Sequence, residues 1–360
     1  MIKNILVPLN GTLHSERALP YAVVMATHFQ LELVLLRVVE PGKPALIESA
    51  TEYLEKFKAI LQGEFVPNTP LPVEVRRLVA RTQSFLNSSS RPSGDEIPYT
   101  VTTRVVTGSP EDKILSCAAE LQASLIFMST RERTGLDRLL RESVAAKVVH
   151  NCNIPVMMVS PKQAPNAPLA ETFRMVPPNL FFKPMLMLLN GSPLAEQALE
   201  VIKSPQPELR SPLVLLEVVP DREEMLAQVG LGLWAFYPPQ VAPEDLEKEA
   251  VEYLAQMKSH CLSSTATDNT EWKVSDRVEQ GAVVPAVLNS AIRLGAGAIV
   301  MASHCRTGLS RAVLGSVMDQ VVRESGLPVL VVNGKAGKAF AARNVAEKVD
   351  LQLQRMEAQA

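Results

Sequence analysis

Gly315-Ser316 opens a helix-like stretch, and a glycine–serine pair in that position has a recognisable chemistry. Glycine lets backbone amides approach an anion closely, while the helix dipole and the Ser316 hydroxyl favour a phosphate at the helix start. The loop leading there, Ala302-Ser303-His304-Cys305-Arg306-Thr307-Gly308, follows an apolar, strand-like run that contains Met301. Two more loops, Leu189-Asn190-Gly191 and Val218-Val219-Pro220, also follow strand-like runs. In an open parallel sheet, ligands settle outside the carboxyl ends of the strands, where the strand order reverses. The candidate ligand residues are therefore Leu189, Asn190, Gly191, Val218, Met301, Ala302, Ser303, His304, Cys305, Gly308, Gly315, Ser316 and Val317.

Other chemistries have less behind them. No nucleophile, base and orienting group come together, and carboxylates do not cluster at the strand ends, so no residue is named as a catalyst. His304 and Cys305 are adjacent, but neighbours in an extended chain point apart, and no second His or Cys pair stands at ligand spacing. No metal is expected. His304 is either a phosphate or ribose neighbour or a plain loop histidine. Gly308 serves the ligand or only a turn. Asn190, like Asn10, either meets a ligand or forms an Asx turn, and Ser303 either faces ligand or satisfies backbone. Met128, Met157, Met158 and Met301 read as core filling.

The elements that must hold these loops occur twice. A spacing of 173 residues separates Pro155 from Pro328, Arg133-Thr134-Gly135-Leu136 from Arg306-Thr307-Gly308-Leu309, and Gly108 from Gly281. Upstream, Leu9-Asn10-Gly11-Thr12 matches Leu189-Asn190-Gly191-Ser192 at a spacing of 180, so loop lengths differ between copies. A period this long means domain duplication rather than a solenoid. In the first copy, strands are expected at 4–9, 31–39, 99–106, 124–129 and 156–160. Helices are expected at 15–28, around 45–62 and 73–87, and at 111–121 and 142–151. In the second copy, strands are expected at 184–189, 213–219, 272–278, 298–303 and 329–333, with helices near 194–203, 244–261, 283–294 and 315–324. Runs such as Ile299-Val300-Met301 are apolar without alternation, which marks strands covered on both faces. The pattern is that of a doubly wound α/β fold, made twice.

The chain of 360 residues has room for two such domains. It is 47% apolar and 21% charged, as folded globular proteins are. A formal charge of −2 leaves no basic footprint for nucleic acid, and no apolar run approaches a membrane span. The start, Met1-Ile2-Lys3-Asn4, leads straight into a strand without signal-peptide features, so a cytoplasmic location is expected. Four scattered cysteines with no CxxC spacing read as reduced, mostly buried thiols. The expected division is domain one at 1–162, a Pro-rich linker of little periodicity at 163–183, domain two at 184–334, and a tail at 335–360. In the tail, Ala342, Val345, Val349, Leu353 and Met356 fall at helical spacing, giving an amphipathic helix expected to cover its own domain.

The runs from Lys3 to Ala22 and from Arg306 to Val332 resemble the universal stress protein family. The family's phosphate loop is a glycine, two residues, a glycine, nine residues, then glycine followed by Ser or Thr. Ala302 to Cys305 aligns with its first part and Gly315-Ser316 with its end. The resemblance spans both copies and implies, in each, a five-stranded parallel sheet with helices on both faces (adenine nucleotide alpha hydrolase-like). It also implies binding of ATP or another adenine nucleotide, with adenine near Val218 and Asn190 and the phosphates near Ser303, His304 and Gly315 to Val317.

The departures are informative. Ala302 and Cys305 replace both early glycines, and Asn10 and Asn190 replace an acidic residue, keeping an acceptor oxygen but losing charge. In copy one, Ser129-Thr130-Arg131-Glu132 has neither glycine. Glu142 precedes Ser143 there, setting a carboxylate against phosphate, with Arg131 and Arg133 as the only offset. The better-preserved pocket is therefore expected in the second copy, with at most slow ATP hydrolysis. The alternative is a nucleotide-independent interaction protein. Family members often pair their last strands edge to edge. Here strands 156–160 and 329–333 are expected to pair within the chain and form a pseudo-dimer, leaving a further homodimer or a protein partner unassigned.

Overall fold

The computed structural model describes residues 3–86, 97–130, 143–160, 167–203, 211–221, 243–263, 272–303 and 316–339. His304, Cys305, Gly308 and Gly315, and the expected tail helix from 340 onward, lie outside these residues.

Ten strands form one sheet. The first half supplies β1 (Asn4–Pro8), β2 (Glu32–Val39), β3 (Val101–Thr107), β4 (Leu125–Ser129) and β5 (Val156–Val159). The second supplies β6 (Met185–Leu188), β7 (Leu213–Val219), β8 (Val274–Gln280), β9 (Ala298–Ser303) and β10 (Val329–Asn333). The order across the sheet is β3-β2-β1-β4-β5-β10-β9-β6-β7-β8. Pairing is parallel throughout each half. The two halves are thus the same doubly wound unit, and their order mirrors about the centre.

The helices are α1 (Leu13–Glu16), α2 (Leu19–Phe29), α3 (Pro44–Leu61), α4 (Leu71–Leu86), α5 (Pro110–Glu120) and α6 (Val144–Asn151) in the first half. After a connecting helix, α7 (Leu169–Met175), come α8 (Pro193–Lys203), α9 (Pro243–Ser263), α10 (Val283–Leu294) and α11 (Ser316–Glu324). They cover both faces of the sheet. Ile5 and Val7 enter a core with Leu54, Leu78 and Phe173, while Leu6 enters another with Ile114 and Val148. A strand buried on both sides has no polar face, which is why its sequence does not alternate.

At the centre β5 and β10 run antiparallel, with Val329 opposite Met158, Leu330 opposite Met157 and Val331 opposite Val156. The two last strands thus pair within one chain, and neither is left as an open edge. Ser160 Oγ donates to the carbonyl of Arg323 at 3.4 Å. At the equivalent place in the second half, Asn333 Nδ2 donates to the carbonyls of Val149 at 2.5 Å and Cys152 at 2.9 Å.

Three expectations are corrected. The helix expected over 15–28 is two helices, because Pro20 cannot donate to a preceding carbonyl. It falls instead in the first turn of α2, where a missing amide costs little. The strands expected from Tyr99 and Trp272 begin two residues later, at Val101 and Val274. Both aromatics turn into the core, where Tyr99 donates to the Leu61 carbonyl and Trp272 to the Ser211 carbonyl. The connecting segment is also more ordered than its prolines imply. Leu169, Phe173, Val176, Leu180 and Phe181 are buried in it, and α7 is clamped to α4 by Arg174–Glu74 at 3.0 Å. The hydrogen bond from Arg174 holds the Glu74 carboxyl below the usual range.

Candidate functional site

From β6 the chain passes to β7 on one side, while β9 lies on the other. That reversal places the end of β6 at the switch point, where loops diverge and leave a crevice. Leu189 is buried beneath it, its amide bonded to the Leu216 carbonyl, and Asn190-Gly191 emerges exposed. Gly191 has φ +67°, and a β-carbon placed there would meet nothing within 4 Å among the described residues. The crevice is open at this point.

Asn190 forms an Asx turn. Its Oδ1 accepts from the Ser192 amide at 3.3 Å and the Ser192 hydroxyl at 2.7 Å, and Ser192 Oγ in turn accepts from the Ala195 amide. An oxygen with two donors already has little left for a ligand. On the other side, Met301 and Ser303 are buried and Ala302 half-buried, with Ser303 in register with Asn333 on β10. Ser316, exposed, begins α11, followed by half-buried Val317. The structure thus gathers Leu189, Asn190 and Gly191 with Ala302 and Ser303 at neighbouring strand ends, and Val218, half-buried, near the end of β7.

The sequence reading missed a second group beside this loop. Tyr253 of α9 donates to Glu196 of α8 at 3.4 Å, and its hydroxyl lies near the Gly191 backbone. Glu217, near the end of β7, has a buried Oε2 without a hydrogen-bond partner among the described residues. Burial, and then the Glu249 carboxylate, push the Glu217 carboxyl up to about 7. The signal was available in the repeat. Ala250-Val251-Glu252-Tyr253-Leu254 echoes Ala50-Thr51-Glu52-Tyr53-Leu54, and Glu196 follows Glu16 by the same 180 residues as the Asn-Gly loops.

The first half builds the same loop with a different neighbour. Asn10 Oδ1 accepts from the Thr12 amide at 3.1 Å and the Thr12 hydroxyl at 2.6 Å, and Tyr53 donates to Glu16 at 2.8 Å. At the position of Glu217 stands Arg37, whose guanidinium carbon lies 5.3 Å from the centre of the Tyr53 ring. A β-carbon on Gly11 would fall 2.5 Å from Arg37 Nη1 and 2.9 Å from Nη2. Ser143 caps α6, accepting from the Ala146 amide at 3.0 Å.

Cys117, Cys152 and Cys261 are buried and form no disulfide. Burial pushes the Cys152 and Cys261 thiols up to about 11, away from nucleophilic chemistry at neutral pH. Among the described residues no helix is long and apolar enough to cross a membrane.

Comparison with known proteins agrees with the duplicated fold. Universal stress proteins MJ0531 and MJ0577 of Methanocaldococcus jannaschii are 27% and 26% identical to this chain over 163 and 159 residues. Each match covers 44% of this chain, with 82% and 98% of the relatives covered. A universal stress protein structure from Archaeoglobus fulgidus superposes over 92% of this chain and 96% of its own, with TM-score 0.58 and 18% identity, a likeness of fold. The universal stress protein family model matches twice, over residues 1–160 and 181–333. With a matching unit in each half of one continuous sheet, this chain belongs to the universal stress protein family.

Proposed function

We propose that the chain is a cytoplasmic stress-response module that holds an adenine nucleotide, ATP or a close relative, in its second half. The observation that carries this reading is the crevice at the β6 switch point, open above Gly191 and bounded by Ser303 at the end of β9. A nucleotide fits the groups available there. The start of α11, with Ser316, offers donors to phosphate, while the β6 and β7 ends near Asn190 and Val218 flank the nucleoside. In the first half, Ser143 already caps its helix and Glu142 precedes it in sequence, so phosphate finds less there. Binding and release, rather than turnover, is the activity proposed.

Titration calorimetry with ATP tests this directly. Saturable heat is expected from the full chain and none from Gly315→Asp, which sets a carboxylate against phosphate at the helix start. Equal heat from both proteins would remove this crevice from the argument. A second reading, an interaction protein that needs no nucleotide, is favoured by one observation: the Asn190 Oδ1 is already taken up by Ser192. An absence of heat at millimolar ATP decides for it.

A further inference from the structure

The two halves place opposite charges at one register position. Leu36 pairs with Pro8 and Leu216 with Leu188, and the next residue outward is Arg37 in one half and Glu217 in the other. Both side chains lie on the sheet face covered by α3 or α9, next to the Asn-Gly loop. Their reach differs, and so does what they do to the loop.

Arg37 lies flat against Gly11. Both terminal nitrogens fall within 3 Å of where a β-carbon would stand, and the guanidinium sits over the Tyr53 ring. Its Nε and Nη1 are buried with no hydrogen-bond partner among the described residues. The plate is held against the Tyr53 ring, a geometry in which cation–π attraction favours the guanidinium. Beside Gly191 no described residue fills the equivalent space, because glutamate is shorter and its carboxylate lies near Tyr253 and Glu249. The loops are alike: both glycines have left-handed φ, and both asparagines form the same turn. Among the described residues, the difference in access therefore comes from the side chain at 37 and 217.

We infer that Arg37 is a built-in occupant of the first crevice, so that the tandem chain offers a nucleoside one opening beside an Asn-Gly loop instead of two. The inference rests on the reading of the second crevice as a nucleoside site. It adds that a single side chain decides which half is available. A degenerate phosphate loop alone would weaken phosphate binding in the first half but would not exclude a nucleoside.

Adenosine, which has no phosphate, is the probe that separates these effects. Calorimetric stoichiometry is read on the full chain, with circular dichroism confirming that each variant is folded. One adenosine per chain is expected for the natural protein and two for Arg37→Ala. Arg37→Glu, which copies the second half, should also give two should the alanine variant fold poorly. The converse change, Glu217→Arg, should reduce one to none. A natural protein that binds two, or arginine variants that stay at one, would overturn the inference and leave the second-half site standing. No binding by the natural protein with one in Arg37→Ala keeps the plug and removes the second-half reading. No binding by either removes both.

Discussion

The side-chain amide of Asn333 donates to the carbonyl of Cys152 at 2.9 Å, across the line where the two halves of the sheet meet. The same nitrogen bonds Val149, and the side-chain oxygen accepts from the Lys335 and Ala336 amides. One buried residue thus closes the end of α6 in the first half and starts the turn after β10 in the second. Asn333→Leu keeps the volume and removes all four bonds, leaving two carbonyls and two amides to find other partners. A loss of about 3 kcal/mol is expected in urea unfolding, at the upper end for buried unpaired polar groups. An unchanged midpoint would show that these bonds do not join the halves.

His28 sets an acid limit on stability. Its ring lies 4.4 Å from that of Phe29 and 4.3 Å from that of Phe182, and neither nitrogen has a hydrogen-bond partner. Burial lowers its pKa to about 4, against 6.5 for a free histidine. The unfolded chain therefore binds this proton first. The contribution is intact above pH 6.5 and is lost as pH falls towards 4, by at most about 1.4 kcal/mol per pH unit. Between pH 7 and pH 5 the natural protein should lose about 2 kcal/mol more than His28→Leu, read from paired urea curves.

Glu217 works in the opposite direction. Its carboxyl titrates near 7 in the folded chain because of burial and Glu249, so the folded state holds this proton more tightly than the unfolded state. The contribution is complete below pH 4.5 and is lost as pH rises through 7. The side chain is only half-buried, so solvent screening trims the effect to about 1 kcal/mol. Glu217→Gln should be near neutral at pH 5 and stabilising by that amount at pH 8. A variant equally stable relative to the natural protein at both pH values would show that the carboxyl is not strained there.

Phe173 ties the connecting segment to the first half. It is 1% exposed, in a helix of seven residues clamped to α4 through Arg174 and Glu74. Phe173→Ala should cost about 3–5 kcal/mol, as other buried aromatic truncations do. It should also expose the segment to limited proteolysis near residues 161–183. A protease pattern identical to that of the natural chain would mean that α7 is not held by this ring.

Much of this architecture could be read from residues alone, because the physics that writes it is local or repetitive. Non-alternating runs such as Leu125–Met128 and Val329–Val332 announce strands with helices on both sides, and the spacing between Pro155 and Pro328 announces duplication. Pairing of β5 with β10 was implied by the family resemblance, whose members often pair their last strands, together with the presence of two such strands in one chain. The helix at Leu169–Met175 was illegible. Two turns among prolines hold too few apolar positions to show a period, and only packing on α4 makes it a helix. At the site, the Asn-Gly loops were legible as turns at strand ends. Arg37 and Glu217 were not, since a charge near the end of an apolar strand reads as a solvated rim. Their importance lies in what stands across from them, Gly11 in one half and open space in the other.

Strand direction reverses where β5 meets β10, so the carboxyl ends of the first five strands and of the second five face opposite rims of a single sheet. Small molecules arriving at one rim never meet those at the other. The halves are joined by the wall of Val156, Met157 and Met158 against Val329, Leu330 and Val331, with the Asn333 and Ser160 bonds beside it. Each rim thus belongs to one half of the chain, and the central strand pairing carries both rims on one sheet.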